Sequence, residues 1–388
     1  MEKQNNVFRN SASFIPDRLK EARIVRGYSV ADLADKIGVK RQTIYQYELG
    51  DIVPKSEILD KIIDELDFPI SYFTREFDDY EDRERTTIFF RSLKSSDKTR
   101  RDAARIRAKW VERAFKLLQN SINYPKINLP KLGNIIPFEA VDIEIIEDIT
   151  QKIRDYWGVG NGPIQNVVSL LEKNGFFVSR FEIGENKTDG FSYWINSRPY
   201  IFLASDKNCA VRSRFDAAHE LGHLILHFGI DMESLQDSKI LDRLEKEANT
   251  FASAFLLPRN TFGSEIMSSS IDSFVTLKKR WKVSIAAMIY RCESLGIFSD
   301  NQIIYLNKQI SIRKWRKGEP FDDDMPLEMP SLLKQSINLL IKNKLKTAMD
   351  FINYLCINAN EIETICCLEK GSLTNELNHA PVVKLRLV

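Results

Sequence analysis

One short segment of the chain places the strongest constraint on its fold. Residues 213–227 read SRFDAAHELGHLILH and contain the pattern His-Glu-x-x-His at His219, Glu220 and His223. Side chains four positions apart lie on one face of an α-helix, about one turn apart, so the two imidazoles meet only if this segment is helical. The apolar residues around the histidines give such a helix a side to bury. The sequence therefore predicts a buried helix with two histidines on one face.

Two imidazoles on successive helical turns can share a metal ion, and we expect that ion to be Zn2+. Glu220 follows the first histidine directly, where it can take a proton from the attacking water instead of binding the metal. The chain has four histidines, three of them within residues 219–227, and only His379 lies elsewhere. This clustering favours a metal site over incidental surface histidines, although the spacing does not distinguish zinc from manganese.

A catalytic zinc ion usually has three protein ligands, and the third is not part of the motif. His227 lies about 12 Å along the axis from the first histidine, too far to bind the same ion, so we expect it to support the site, face substrate or be structural. Residues 241–258 read LDRLEKEANTFASAFLLP and predict a second helix, on which Glu245 and Asn249 share a face. Glu247 competes with Glu245, but it points about 200° away around that helix. We predict Glu245 as the ligand and Asn249 as a residue that holds a ligand in place.

A separate pattern of five short helices occupies residues 15 to 73. Glycines close the first three helices, and Ser29 and Ser56 are expected to cap the second and the fourth. Two short helices joined by a glycine-containing turn are typical of the helix-turn-helix motif, whose second helix enters the major groove of DNA. Arginine there pairs with guanine and glutamine with adenine. The predicted DNA contacts are Lys40, Arg41, Gln42, Tyr45 and Gln46.

The net charge of +2 does not by itself indicate a nucleic-acid-binding protein. A basic run over residues 83–116 could contact phosphates or an acidic partner, or form a solvated helix face. Residues 97–120, which overlap the end of the basic run, predict one long helix. The polar, proline-containing sequence at 121–140 predicts a linker and a domain boundary. The apolar face of the long helix is formed by Ile106, Trp110, Ala114 and Leu117.

The sequence around the metal motif predicts further helices and a small sheet. Residues 148–174 have a helical pattern, and apolar alternation predicts strands at 176–183 and 191–204, which we expect to form a small antiparallel sheet. Residues 271–298 predict two helices with a helix-turn-helix-like spacing. We expect this pair to pack beside the metal-site domain and not to bind nucleic acid.

The N-terminal segment LKEARIVRGYSVADLADKIGVKRQTIYQYELG resembles the Xre/Cro-type helix-turn-helix family. The resemblance implies that Arg41, Gln42 and Gln46 read bases, and that a homodimer reads a palindromic operator. Val30 departs from the family, which usually has a glutamine there that contacts the phosphate backbone. The departure implies weaker affinity for DNA, or a phosphate contact from another residue.

Three segments, FSYWINSRPYIFLA, RFDAAHELGHLILH and EKEANTFASAFLLP, together resemble the ImmA/IrrE-type zinc metallopeptidases over residues 150 to 260. The resemblance implies that His219, His223 and Glu245 bind zinc and that Glu220 is the general base. Members of the family cleave specific repressors or antitoxins, and several carry an Xre-type domain. Leu257 stands where the family usually has a methionine.

These patterns predict a mainly α protein with a small β-sheet, of the α+β class. We expect a five-helix helix-turn-helix domain, a zincin-like peptidase domain with the His-Glu-x-x-His motif, and a helical C-terminal region that ends in a strand at 380–388. The predicted domains are 1–75 for DNA binding, 76–140 as a basic helical connector and linker, 141–262 for the metallopeptidase, and 263–388 without an assigned role.

The leading functional hypothesis is a DNA-binding transcriptional regulator with zinc-dependent endopeptidase activity. Its expected partners are a double-stranded DNA operator and a repressor or antitoxin as protein substrate, and Tyr193, Arg212 and His227 are candidate stabilisers of the oxyanion. One alternative is a DNA-binding regulator or antitoxin-like protein whose peptidase fold acts as a sensor without cleavage. Another is a protease whose N-terminal domain binds protein, since residues 1–75 are roughly neutral. The intact motif with Glu220 favours the enzyme.

The cysteines and the apolar segments of the chain predict its cellular compartment. The five cysteines are scattered without metal-ligand spacing, so we expect reduced thiols. No segment approaches the ~20 apolar residues of a membrane helix, and the N-terminus lacks the apolar region of a secretory signal. We therefore expect a cytoplasmic protein with no membrane partner.

Overall fold

The structure of the chain is a computed structural model, and it describes most of the sequence. The described residues are 14–80, 89–90, 98–132, 139–183, 190–206, 209–230 and 233–378. The predicted features that lie outside them are part of the basic run (Arg83, Arg85, Arg91 and Lys94), His379 and the strand at 380–388. Within the described part, no helix is long and apolar enough to cross a membrane.

The described residues contain eighteen α-helices and four β-strands. The helices are α1 Pro16–Val25, α2 Val30–Ile37, α3 Arg41–Leu49, α4 Ser56–Leu66, α5 Ile70–Thr74, α6 Lys98–Gln119, α7 Ile143–Tyr156, α8 Val167–Lys173, α9 Ala210–Leu226, α10 Ser238–Leu256, α11 Arg259–Glu265, α12 Ile271–Trp281, α13 Ile285–Ser294, α14 Asp300–Ile312, α15 Leu332–Lys342, α16 Ala348–Leu355, α17 Ala359–Ile365 and α18 Ser372–Asn378. The strands are β1 Phe89–Phe90, β2 Phe177–Phe181, β3 Gly190–Ile195 and β4 Arg198–Ala204. The predicted fold class, mainly helical with a small sheet, is confirmed.

Contacts divide the chain into two compact units that are each built from separate segments. The first unit comprises Met1–Asp79, Asp97–Ile122 and Leu333–Val388, and the second comprises Tyr80–Ser96 and Asn123–Leu332. The first unit therefore brings together residues from both ends of the chain. The functional boundaries predicted from the sequence stay a prediction, because a division by contacts does not test them.

The first unit contains the five predicted N-terminal helices, and their ends show why they form. Ser29 accepts a hydrogen bond from the backbone N–H of Asp32 and the Asp32 side chain returns one, a capping box that begins α2. Gly38 and Gly50 end α2 and α3 in the left-handed region, at φ 74° and 80°. The expected cap at Ser56 is wrong: Ser56 is the first residue of α4, and Lys55 precedes it without a side-chain hydrogen bond.

Helix α6 packs on the N-terminal helices of the first unit. Its predicted apolar face is confirmed, since Ile106, Trp110, Ala114 and Leu117 are all buried. Two residues of the basic run, Arg113 and Lys116, form ion pairs at this contact. The Arg113 guanidinium donates two hydrogen bonds of 2.6 Å to the Asp79 carboxylate, and Lys116 donates to Asp78.

The small sheet of the second unit has the strand order β1-β3-β4-β2. β3 and β4 form a hairpin, with Asn196 in the turn at φ 52°, and β1 pairs antiparallel with the other edge of β3. β2 runs parallel to β4, so the sheet is mixed and the expected antiparallel arrangement is wrong. The reason is that β4, and not β3, lies beside β2, and the hairpin turns β4 back into the direction of β2.

The two faces of this sheet pack against different partners. On the face toward α9, Ser192 donates to the Glu220 side chain and the Trp194 indole N–H donates to the carbonyl of Leu224, at 3.1 Å. The opposite face is a layer of rings, in which Tyr193 stacks on Tyr200. Since side chains alternate along a strand, neighbouring residues of β3 reach the site and the aromatic layer in turn.

Helices α12 and α13 belong to the same core as the metal-motif helix. Phe274, Trp281 and Met288 are buried in one apolar cluster with Leu221 and Phe251. The helix-turn-helix-like spacing of residues 271–298 therefore reflects packing within the second unit, as expected from the sequence.

Candidate functional site

The site is built on two neighbouring helices, α9 and α10, that approach each other closely. A β-carbon added at Gly222 would lie only 3.1–3.2 Å from the Phe251 side chain, so the helices are packed at a spacing that leaves no room for a side chain there. Ala218, Ala248 and Ala252 line the same region and are fully buried. Small residues on both helices thus bring the α10 carboxylate within reach of the α9 histidines.

Three side chains converge between these helices. The Nε2 atoms of His219 and His223 lie 3.0 Å apart. The Glu245 carboxylate lies 3.5 Å from each, through Oε2 toward His219 and Oε1 toward His223. The structure therefore brings together the three residues that the sequence analysis predicted as ligands, and both histidines are at most 4% exposed.

The spacing and chemistry of these donors fit a metal ion. Ligand atoms at about 2.0–2.1 Å from a tetrahedral zinc ion are about 3.3 Å apart, close to the separations found between the two imidazole nitrogens and the carboxylate. Among the described residues these three form a group whose ligand atoms all lie within 4.8 Å of one another. Two imidazoles and one carboxylate also match the three-ligand donor set of a catalytic zinc site, with one position left for water or substrate.

The outer ring nitrogens of the histidines have partners that orient them. His219 Nδ1 lies 3.0 Å from Asn249 Oδ1, the kind of contact predicted for Asn249. His223 Nδ1 lies 2.9 Å from Nδ1 of His227, whose Nε2 in turn lies 3.0 Å from Glu247 Oε2. Glu247 is therefore not part of the cluster. Asn249 Oδ1 accepts the Nδ1 hydrogen of His219, which leaves the Nε2 lone pair toward the cluster.

The glutamate of the motif is held by the sheet. Glu220 is 3% exposed, and its Oε2 accepts a hydrogen bond of 2.6 Å from Ser192 Oγ. Gly190 leaves space for the same carboxylate, since a β-carbon there would lie 3.2 Å from Glu220 Oε1. Sequence analysis missed Ser192. A weak signal existed, because it is the polar position within the otherwise apolar segment GFSYWI.

Burial and mutual contacts set the charges of the cluster. Burial lowers the pKa of His223 to about 3 and that of His227 to about 3, so both rings are neutral near pH 7. Burial alone would raise the pKa of Glu245, but the adjacent His219 and His223 rings hold that pKa well below its usual range. A neutral His223 ring beside an ionised Glu245 carboxylate has the protonation state that a metal ion requires of such ligands.

A cleft of about 360 Å³ opens beside Glu245. It is lined by Phe215, Asp242, Glu245, Lys246, Asn249, Ala287 and Tyr290. Phe215 lies one turn before His219 on α9, and the Tyr290 side chain is partly exposed on α13. The cleft therefore reaches Glu245, one member of the cluster, beside two aromatic side chains.

The candidate oxyanion stabilisers do not face the cluster. Tyr193 lies in the aromatic layer, on the face of β3 opposite to Ser192. Arg212 is exposed, and its guanidinium donates to the carbonyl of Arg316, at 3.0 Å. His227 contacts the outer nitrogen of His223. The structure offers none of the three as a group that could reach a substrate bound in the cleft.

The predicted DNA contacts lie at the start of α3. Lys40, Arg41, Gln42 and Tyr45 are exposed and Gln46 is half-buried. The Arg41 guanidinium lies 5.8 Å from the centre of the Tyr45 ring, and both belong to the outer face of the helix.

The inner face of α3 fixes that helix in the first unit. Ile44 and Tyr47 are buried. Glu48 accepts hydrogen bonds of 2.6 and 2.9 Å from Arg23 of α1. The face with the predicted contacts is therefore presented to solvent by a helix that is anchored on its other side.

The fold and the site define two classes of domain in one chain: a metallopeptidase-type helix pair with a His-Glu-x-x-His motif, and a helix-turn-helix. Comparison with protein families agrees. Residues 171–293 match the IrrE N-terminal-like domain, a peptidase family, and residues 19–73 match a helix-turn-helix family. The chain thus contains a peptidase domain of the IrrE N-terminal-like type and a DNA-binding helix-turn-helix domain. No curated protein matches it closely enough to be informative.

Proposed function

We propose that this protein is a zinc-dependent endopeptidase that cleaves a specific repressor or antitoxin, and that its helix-turn-helix domain binds operator DNA. The observation that carries the proposal is the cluster of His219, His223 and Glu245, with Glu220 beside it and held by Ser192. The proposed metal ligands are these three residues, and Glu220 is the proposed general base. The IrrE-type match supports peptidase chemistry, and the helix-turn-helix match supports DNA binding.

In this mechanism each group has one task. A zinc ion at the cluster would polarise the scissile carbonyl and lower the pKa of a water molecule toward ~7. Glu220 accepts the proton of the attacking water and passes it to the leaving amine. The hydrogen bond from Ser192 holds one carboxylate oxygen of Glu220, at Oε2, and so keeps the other oriented for proton transfer. Burial of the site excludes bulk water, which strengthens these interactions.

The cleft beside Glu245 supports a polypeptide as the substrate. Phe215 and Tyr290 can contact an apolar side chain of the substrate, while Asp242 and Lys246 offer polar contacts at the rim. A partner protein with an extended segment would therefore reach the cluster from this side.

The experiment that tests the peptidase activity compares the wild type with Glu220→Gln. Each protein is loaded with zinc, its bound metal is quantified, and it is incubated with candidate repressors and antitoxins while cleavage is followed by mass spectrometry. Glu233→Gln makes the same change at an exposed position and is the matched control. We expect about one zinc per chain in all three proteins, with cleavage by the wild type and Glu233→Gln only.

Each other result has a clear meaning. Cleavage by Glu220→Gln would remove Glu220 as general base. Zinc binding without cleavage of any partner by the wild type would favour the alternative in which the peptidase domain is a sensor. Absence of metal binding would overturn the zinc site itself.

The DNA-binding part of the proposal is tested by its salt dependence. Contacts to phosphates release counterions, so the affinity for an operator should fall steeply as the salt concentration rises. Selection of binding sites from random duplexes would also show whether the sequences are palindromic, as a homodimer requires. Salt-insensitive or absent DNA binding would favour a protein-binding role for this domain.

A further inference from the structure

A line of buried polar contacts continues behind His223, away from the metal cluster. His223 uses Nε2 toward Glu245 and Nδ1 toward His227, whose ring then reaches Glu247. All of these side chains except Glu245 are at most 6% exposed. His227 follows the last residue of α9, and its backbone N–H still donates to the carbonyl of His223, at 3.1 Å. This hydrogen bond holds the His227 ring one helical turn after the proposed ligand His223.

The direction of these hydrogen bonds is determined by the carboxylate at the end of the line. Glu247 Oε1 accepts from the backbone N–H of Val141, at 3.1 Å, and lies 3.6 Å from the Arg243 guanidinium. Burial raises the pKa of Glu247, while both contacts oppose that rise, and the two donors at Oε1 mark the side chain as an acceptor of hydrogen bonds. His227 Nε2 must then carry the hydrogen that faces Oε2 of Glu247.

The tautomer of one ring then determines that of the next. A neutral imidazole has a single N–H, so His227, which donates through Nε2, has its lone pair on Nδ1. That lone pair accepts the Nδ1 hydrogen of His223 across the 2.9 Å contact. His223 is left with its lone pair on Nε2, the atom that faces the cluster.

We propose that His227 and Glu247 are positioning residues that hold His223 in the tautomer able to bind zinc through Nε2. The inference rests on the proposed zinc site and deepens it. The two ligands are oriented differently: Asn249 acts on His219 directly, whereas His223 requires two residues in series. Partners of this kind orient a ligating histidine and raise its basicity.

We call the two hydrogen bonds that link Glu247 through His227 to His223 the relay. Without the relay, His223 would take the other tautomer in part of the molecules. Imidazole in water prefers the hydrogen on the nitrogen remote from the backbone, Nε2, where it would block metal binding. A carboxylate that accepts from His227 opposes this preference through two hydrogen bonds. The relay also explains why Glu247 is buried beside a ligand cluster to which it does not belong.

The test reads the tautomer in the metal-free full-length chain. The protein is labelled with 15N-histidine, and the two ring nitrogens of each imidazole are observed by NMR; the chain has four histidines, so the spectrum is tractable. In the wild type we expect His223 to be protonated at Nδ1. Glu247→Ala should shift His223 toward protonation at Nε2, and so should Glu247→Gln, since its single carbonyl oxygen accepts from Val141 beside Arg243 and its NH2 group then faces His227.

The same variants are then compared in zinc affinity by competition with a chelator. Glu247→Ala should bind zinc about 10–100-fold more weakly than the wild type, and Glu247→Gln should also lose affinity. His227→Asn should keep zinc, since the asparagine carbonyl oxygen takes the place of Nδ1 and can accept directly from His223. Thr250→Val, which removes a partly buried hydrogen bond to the carbonyl of Lys246 on the same helix, is the control and should change neither the tautomer nor the zinc affinity.

A wild-type tautomer and wild-type zinc affinity in Glu247→Ala would overturn the relay, as would a loss in His227→Asn equal to that in Glu247→Ala. If Glu247→Ala does not fold, Glu247→Gln and His227→Asn still decide, because the relay requires the first to lose the Nδ1-protonated ring of His223 and the second to keep it. These readings do not involve cleavage. A relay that behaves as expected in a protein that cleaves nothing would leave the inference intact and remove the proposed peptidase activity.

Discussion

Glu245 and Glu247 show how the position of a residue on a helix determines its role. The two carboxylates are separated by one residue on α10, yet Glu245 lies 3.5 Å from both cluster histidines and Glu247 contacts His227. Two positions along a helix correspond to a rotation of about 200°, so the sequence alone could predict that only one of them reaches the cluster. The contact of Glu247 with Val141 was not predictable, because it joins residues more than a hundred positions apart.

At the start of α3, we expect Arg41 to contribute to sequence-specific DNA binding. Its side chain is exposed on the outer face of the helix, where a bidentate contact to guanine contributes about 1–3 kcal/mol of discrimination. Arg41→Ala should weaken binding to a selected operator and leave binding to random DNA nearly unchanged, as measured by fluorescence anisotropy. Lys20→Ala, which removes an exposed charge on α1, is the control. Equal loss on both kinds of DNA would make Arg41 a phosphate contact.

A partly buried ion pair joins the end of the N-terminal segment to α6. Asp79 accepts two hydrogen bonds of 2.6 Å from Arg113, and Arg18 lies 3.5 Å away. Burial alone would raise the pKa of Asp79, but the hydrogen bonds and charge of Arg113 hold it below its usual value. A carboxylate whose pKa is lower in the folded state stabilises the fold above its unfolded pKa, near 3.8, and loses that contribution as the pH falls further.

We therefore expect Asp79→Asn to destabilise the first unit at neutral pH by about 1.5–3 kcal/mol. The difference in free energy of unfolding between wild type and variant should be constant above about pH 5 and shrink below about pH 4. Denaturant titrations at several pH values measure it. A difference that does not change with pH would mean that the pair contributes through packing and not through its charge.

At the scale of elements, the spacing of α9 and α10 controls the site. The added methyl group of Gly222→Ala would meet the Phe251 ring, which lies on the neighbouring helix. Overpacking of this kind costs about 1–3 kcal/mol and exceeds the ~0.5–1 kcal/mol that alanine gains over glycine in a helix. We expect lower thermal stability and weaker zinc binding, because Glu245 moves away from the histidines.

The double variant Gly222→Ala with Phe251→Leu is the control for this prediction, because the smaller side chain makes room for the methyl group. It should recover part of the zinc affinity, measured by chelator competition. Unchanged affinity in Gly222→Ala alone would show that the two helices tolerate a wider spacing.

The elements differ in how far the sequence predicts them. The helices of the site and of the N-terminal unit follow from apolar spacing, glycine ends and capping residues such as Ser29, all of which act locally. The β3–β4 hairpin was predictable for the same reason. The parallel pairing of β2 with β4 was not, because it depends on which strand takes the place beside β2, and no local signal decides that. Ser192 was missed likewise, since its role depends on a contact with a residue 28 positions away.

At the scale of the whole molecule, the C-terminal helices are part of the first unit. Asn358 donates to the carbonyl of Asp67 and Arg75 to the carbonyl of Asn353, at 2.8 and 2.7 Å, and Arg26 pairs with Glu361. The role of the predicted region 263–388 therefore includes structural support of the DNA-binding helices. That the predicted boundaries also separate functions remains our proposal.

We expect removal of residues 333–388 to destabilise the first unit selectively. The truncated chain should show an additional unfolding transition at lower temperature and weaker DNA binding, while zinc affinity stays within a few-fold of the wild type. A chain that ends at Asn378 retains α15 to α18 and is the matched control. Calorimetry and chelator competition provide the two measurements. Unchanged melting after removal of all four helices would contradict a supporting role.

The composition of the first unit has a consequence for self-cleavage. Its three segments alternate along the chain with the two segments of the second unit, so the backbone passes from one unit to the other four times. A single cut in any of these crossings leaves both fragments with a share of the first unit. A cut after Asp79, for example, frees the N-terminal fragment covalently, but α1 still packs on α6 and Asp79 remains bound to Arg113. Nicking the chain once is therefore not equivalent to releasing the DNA-binding domain.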